Sequence, residues 1–428
     1  MQRPCYFIHN HHKKLLANIL TLALTMIPSS PVHADEIIFT TQKAIGETIT
    51  LYFDKKEAAD ISVEGADKEK EETFYRMKIT YKLTAQEVKL TGNITYFMCR
   101  DNKLTSLDIS KSTKLTGLEC NDNFLTSLDV SHHKELIELY CGNNKLTSLD
   151  VSQNKALTGL GCSFNKLTSL DLSNNKELNN IECNNNELAT LDISANTKLH
   201  RLDCRHNQLE VLDVSQNTNL SYLSCSFNKL PSLNVSNTQK LRVLECRNNQ
   251  LSSLSASNTA LVTLGCENNQ LSSLDLSNNS SLNQLYCNNN LLTSLNVTDC
   301  KYLEEIYCYE NRIKGTDMDK LIQSLRKTGE YAYFVVHIKG VPDEKQNVCT
   351  TAQVEAVQER GWMALTFNPD NNDIEEYAGS TASHIATTNV TKNNQPAIYD
   401  TTGKQTNRLQ KGINLVKAAN GEVRKVFK

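Results

Sequence analysis

"LTGLECNDNFLTSLDVSHHKE" (residues 115–135) is followed directly by "LIELYCGNNKLTSLDVSQNKA" (136–156) and "LTGLGCSFNKLTSLDLSNNKE" (157–177). The period is 21 residues, and every copy carries one cysteine at the same place. The column comprises Cys99, Cys120, Cys141, Cys162, Cys183, Cys204, Cys225, Cys246, Cys266, Cys287 and Cys308. One step, from Cys246 to Cys266, is a residue short, because "SASNTAL" (255–261) replaces a turn such as "DVSQNTNL" (213–220). The shared frame is L-x-x-L-x-C-x-x-N-x-L-x-x-L-D-V-S-x-N-x-x. Side chains alternate across a strand, so Leu118 and Cys120 face one way and Gly117 and Glu119 the other. Leu115, Leu125, Leu128 and Val130 complete an apolar set that one coil cannot bury alone. Stacked coils bury it continuously, which makes the chain a solenoid. The return segment, dotted with Asn and Ser, has little room for a helix. Turns, 3₁₀ or extended structure are expected there.

Neighbouring parallel strands lie about 4.8 Å apart, so the thiols form an internal ladder. Disulfides need Cβ atoms about 3.8 Å apart. In-register strands hold them farther apart, and eleven thiols cannot all pair. Export to an oxidising compartment argues the other way. A thiolate metal ladder or redox store is the sharper alternative, but a metal needs three or four thiolates converging on one point. No C-x-x-C occurs. The expectation is structural packing by a small, polarisable hydrophobe, with no metal and no cofactor. Asn123, Asn144, Asn165, Asn186, Asn207, Asn228, Asn249, Asn269, Asn290 and Asn311 recur three residues after successive cysteines. Asn accommodates tight turns and both donates and accepts, which points to a ladder closing each turn.

The remaining sequence frames this array. Net charge is −3 over 428 residues, which excludes an electrostatic nucleic-acid binder. Residues 1–34 read as a secretory signal peptide: Lys13 and Lys14, an apolar run from Leu15 to Ile27, then Val32-His33-Ala34 with cleavage after Ala34. That run is too short to span a bilayer, so no transmembrane segment is expected after cleavage. Residues 35–93 alternate strand-like runs with polar breaks and read as a β-rich cap. Residues 315–378 read as an α/β cap, with an N-cap at Thr316, helical spacing in "TDMDKLIQSLRKTG", a strand in "YAYFVVHIKG", a helix in "TTAQVEAVQERGW" and a strand in "MALTFNP". Pairing of Cys300 with Cys349 is left open by their spacing. Residues 379–396 read as a polar linker, and 397–428 as a short β tail with turns at Thr402-Gly403, Lys411-Gly412 and Asn420-Gly421.

Over residues 94–314 the frame resembles the cysteine-ladder leucine-rich repeats of internalin-type bacterial surface proteins. The fold implied is an α/β-type leucine-rich-repeat solenoid, with parallel strands on the concave face and little helix on the convex face. The function implied is a secreted or surface-attached, non-enzymatic adhesin. Its partners would be a host or bacterial surface protein or glycoprotein, with biofilm self-association and glycan-binding accessory roles as alternatives. Internalin-type proteins usually end in a cell-wall anchor motif, which this sequence lacks. "YDTTGK", "KGINLV" and "KVFK" instead resemble the C-terminal sorting domain of type IX secretion cargo of Bacteroidetes. That resemblance implies contact with secretion machinery and display at the outer-membrane surface.

There is no H-E-x-x-H and no G-x-S-x-G, and no carboxylate pair stands in a recognisable frame, so no catalytic residue is assigned. About ten rungs at 4.8 Å give a surface near 50 Å long, which suits a macromolecule. Aromatics and Arg anchor interfaces, and they gather in the middle coils. The candidate ligand surface is Phe164, Arg201, Asp203, Arg205, His206, Tyr222, Phe227, Glu245 and Arg247. For Phe164 and Phe227, two positions after their cysteines, inward packing at the coil edge is the competing expectation.

Overall fold

The computed structural model describes residues 35–380 except 259, 330 and 331, together with the tail strands Ala397–Tyr399, Gln405–Thr406, Ile413–Lys417 and Val423–Phe427. Segment 1–34, most of the linker (381–396) and the three tail turns lie outside the described residues. The tail strands pair as one antiparallel four-stranded sheet.

Each coil contributes one three-residue strand to the main sheet, and these strands pair parallel and in register. Leu118 faces Leu139, which faces Leu160, and the column runs on through Ile181, Leu202, Leu223, Leu244, Leu264 and Leu285 to Ile306. All of these residues and all eleven ladder cysteines are fully buried. No coil from 94 to 314 contains a helix. The return side is made of turns, apart from the strand Leu104–Asp108, which pairs antiparallel with Glu36–Thr41, and one parallel pair of short strands, Ser232–Asn234 and Ser253–Ser255. The chain is a leucine-rich-repeat solenoid.

The strands stop after three residues because the backbone turns sharply beyond each cysteine. The residue two positions on takes a left-handed conformation, with φ between 52° and 59° from Asp122 to Glu310. The next residue, the column asparagine, closes the turn and stitches two coils. Asn207 Nδ2 donates to the carbonyls of Cys183 and Cys204, both at 3.0 Å, and its Oδ1 accepts from the Leu188 amide at 3.0 Å. The pattern repeats from Asn123 to Asn311. It also begins a rung earlier than the sequence reading placed it. Asn102 donates to Thr50 O at 2.8 Å and accepts from Thr50 N at 3.0 Å, anchoring the first coil to the N-terminal sheet.

A second ladder lines the convex side. Ser112, His133, Asn154, Asn175, Asn196, Asn217, Thr238, Asn258 and Asn279 fill one buried column. Asn154 Nδ2 donates to Val130 O and His133 O, both at 2.8 Å. Cys300 occupies the next rung of this column and is 1% exposed. Cys300 and Cys349 are both unpaired thiols.

Both ends of the stack are continuous with its main sheet. The strand Thr48–Phe53 runs antiparallel to Tyr96–Met98 and carries the hydrogen bonding into an antiparallel N-terminal sheet. At the other end Ala332–Ile338 and Trp362–Asn368 extend the parallel order, and Asp373–Glu376 closes it antiparallel. The helices Thr316–Ser324 and Thr351–Gln358 connect these strands. Asn347 supplies a last rung from outside the repeat, donating to Cys308 O at 2.7 Å and accepting from Ile313 N at 2.9 Å.

Two local readings are corrected. Thr316 is the first helical residue rather than the N-cap, which is Gly315 at φ 54°. That helix ends at Ser324, because Leu325 turns extended and is buried against the core. Ala66–Thr73, "ADKEKEET", is an eight-residue strand that the sequence reading passed over. It is a solvated edge strand, so it shows charge instead of apolar alternation, and such charge blocks edge-to-edge pairing.

Candidate interaction surface

Outward strand positions and the residue after each cysteine line the concave face, and the left-handed residues form a ridge along its rim. Three successive coils, 201–206, 222–227 and 243–247, bring eight of the nine candidate residues together.

Arg201 lies flat on the Tyr222 ring, 3.8 Å from its centroid, and its Nε is 3.5 Å from Glu182. Such stacking is worth about 0.5–1 kcal/mol at an exposed site, and it holds the guanidinium over the next coil. Asp203 is 3% exposed, so it is not a contact surface. It positions Arg205, whose Nε is 3.2 Å from Asp203 Oδ2. Burial raises the Asp203 carboxyl above its ordinary range, against the pull of Arg205 and then Arg201. The ring of His206 stacks on Phe227, with centroids 4.1 Å apart and planes at 11°. Partial burial, then Arg205 and Arg247, hold the His206 imidazole below its usual value. Arg247 lies 5.6 Å from the Phe227 ring centroid and 3.4 Å from Glu267 Oε1. Glu245 sits beside Glu267 over Gly265, and burial raises both carboxyls. Phe164 stands apart, with Asn185 holding the ridge position between it and His206.

The ridge answers the question of the two phenylalanines. Phe164 is 55% exposed and Phe227 36%, so neither turns inward. Both, with His206, hold left-handed backbone at φ 54°, 57° and 52°. Five other coils place Asn there, at Asn143, Asn185, Asn248, Asn268 and Asn289. Asn visits this region readily, and bulky residues do not. The strain can be tested. Phe164→Asn is expected to raise stability by about 0.5–1 kcal/mol, read as a higher denaturant midpoint. An unchanged or lower midpoint would remove the strain argument.

Glu182 and Glu267, the carboxylate partners of Arg201 and Arg247, were missed as site members, although they occupy the same outward columns. Farther along, Tyr286 donates to Glu305 at 2.9 Å and its ring lies 5.2 Å from Tyr307. Among the described residues no group of three or more His, Cys, Asp or Glu could hold a metal ion.

A family model described as the LVIVD repeat matches residues 84–118. No curated protein matches the chain. Among solved structures, a leucine-rich-repeat protein of Leptospira interrogans is 24% identical, covering 54% of this chain and 70% of that one, with a TM-score of 0.44. The functional domain of InlJ from Listeria monocytogenes, described as including a cysteine ladder, is 23% identical, covering 81% and 92%, with a TM-score of 0.28. YopM from Yersinia enterocolitica is 23% identical, covering 64% and 56%, with a TM-score of 0.46.

Proposed function

We propose that this chain is a non-enzymatic, surface-displayed binding protein that engages a protein or glycoprotein partner through the middle coils of its concave face, as an adhesin does. The observation that carries the reading is the ridge of rings held exposed at Phe164, His206 and Phe227, on a backbone that favours Asn. Strain kept on the surface, with no fold requirement, points to selection for contact. Around it stand Arg201 on Tyr222 and Arg247 near Phe227, the residue types that dominate interface energy. Export through residues 1–34 and display through the C-terminal tail belong to the same proposal.

The test is binding of the purified protein to arrayed matrix proteins, mucin-type glycoproteins and bacterial cells, beside the variant Arg201→Ala/Arg205→Ala/Tyr222→Ala. Truncating a hot-spot residue costs about 2 kcal/mol or more, so the triple variant is expected to bind at least a hundredfold more weakly. Full retention of binding by the variant would dismiss the middle coils as the site. Concentration-dependent self-association without any partner would replace the adhesin reading by a structural one.

A further inference from the structure

A cavity lies at the N-terminal end of the ladder, apart from the middle-coil surface. An open basin of about 750 Å³ lies on the rim of the first three coils. Its walls carry Arg100, Lys103 and Lys145, with Phe124 between the two lysines and the carboxylates of Asp101 and Asp122 alongside. The three cations are exposed, and among the described residues none of them makes an ion pair. The middle-coil arginines 201, 205 and 247, by contrast, each have a carboxylate partner. The Lys145 ammonium lies 4.5 Å from the Phe124 ring centroid, which keeps it above the basin. Lys103 and Lys145 stand in one column two coils apart, roughly 10 Å at the strand spacing.

We propose that this basin binds a chain saccharide bearing carboxylate or sulfate groups. Unpaired cations two coils apart supply charge-assisted bonds to anionic groups on successive sugars. Phe124 offers an apolar face to a sugar ring. Asp101 and Asp122 distinguish this ligand from a bare polyanion. They repel phosphate-dense surfaces such as a membrane or a nucleic acid, yet accept hydrogen bonds from sugar hydroxyls. Asp122 already accepts one hydrogen bond, from the Asn143 side-chain amide at 2.7 Å. The basin is open along the rim, so a polymer can pass through without an end entering.

The test is titration calorimetry of the full chain with three octasaccharides: chondroitin sulfate, unsulfated hyaluronan and neutral maltooctaose. Binding of either anionic sugar, weakening as salt rises and with maltooctaose silent, supports the proposal. Which of the two binds separates sulfate from carboxylate recognition. Lys103→Gln/Lys145→Gln is expected to weaken binding at least tenfold and Phe124→Ala at least threefold. Arg201→Ala/Tyr222→Ala is expected to leave it unchanged, which separates this site from the proposed adhesive one. Equal binding of the neutral sugar, retention in the double-lysine variant, or binding only to anionic phospholipid vesicles would each overturn it.

Discussion

Raising the pH above 9 under reducing conditions is expected to destabilise the solenoid steeply. Thirteen thiols are buried and unpaired among the described residues. Burial, reinforced along the ladder by neighbouring thiols, raises them all. Cys162, Cys225, Cys300 and Cys349 are pushed up to about 12. Cys120, Cys141, Cys183, Cys204, Cys246, Cys266 and Cys287 lie well above 9. In the unfolded chain the same thiols ionise near 9. Above about 9 the folded state therefore keeps protons that the unfolded state releases, and stability falls as pH rises. Each thiol that stays protonated in the fold contributes a loss of about 1.4 kcal/mol per pH unit above 9, so the slope steepens with every rung. Folded chains are stable by only about 0.05–0.15 kcal/mol per residue, so the loss is a large share of the total. Circular dichroism against pH reads this directly. Cys183→Ala/Cys204→Ala/Cys225→Ala should flatten the slope by about 4 kcal/mol per unit. A stability that does not fall above pH 9, or an unchanged slope in the variant, would contradict the account.

Asn207→Ala is expected to destabilise the array by about 3–5 kcal/mol, far more than an ordinary polar substitution. The side chain makes four bonds across two coils, three of them buried and the fourth to Arg205 O at 3.3 Å. Its removal strands the Leu188 amide and takes a donor from the carbonyls of Cys183 and Cys204. A buried group left without a partner costs about 1–3 kcal/mol. Coils in a solenoid are held by contacts with their neighbours, so the loss falls on the coupling of two halves. A second, earlier unfolding transition is expected in guanidinium. The exposed neighbour Gln208→Ala should stay within about 0.5 kcal/mol. Equal effects from the two would deny the ladder its role.

The frame was legible because every coil repeats the same solution. Leu, Cys and Asn columns visible in residues 115–177 mark the buried strand face and the stitched turn. The second column was equally visible, as the S-x-N of the frame. Its role was not, since nothing in a single coil tells an interior Asn from a turn Asn. The flanking segments were legible in part. The strand Glu36–Thr41 follows the alternation visible over 35–93, while "ADKEKEET" carries no such signal because an edge strand in water needs no apolar alternation.

Sequence alone determined the period, the inward set and the turn after each cysteine, because burial and backbone geometry act identically in every coil. Tertiary structure decided what varies. Asp203 was grouped with the exposed residues, yet it lies under Arg205, because a short acid beside a long guanidinium is covered by it. Phe164 and Phe227 could face either way in one dimension, and left-handed backbone turns them to solvent. The basin at Arg100, Lys103 and Lys145 exists only once coils lie side by side. Residues 42 apart in sequence become near neighbours there, at a separation that the spacing of strands sets.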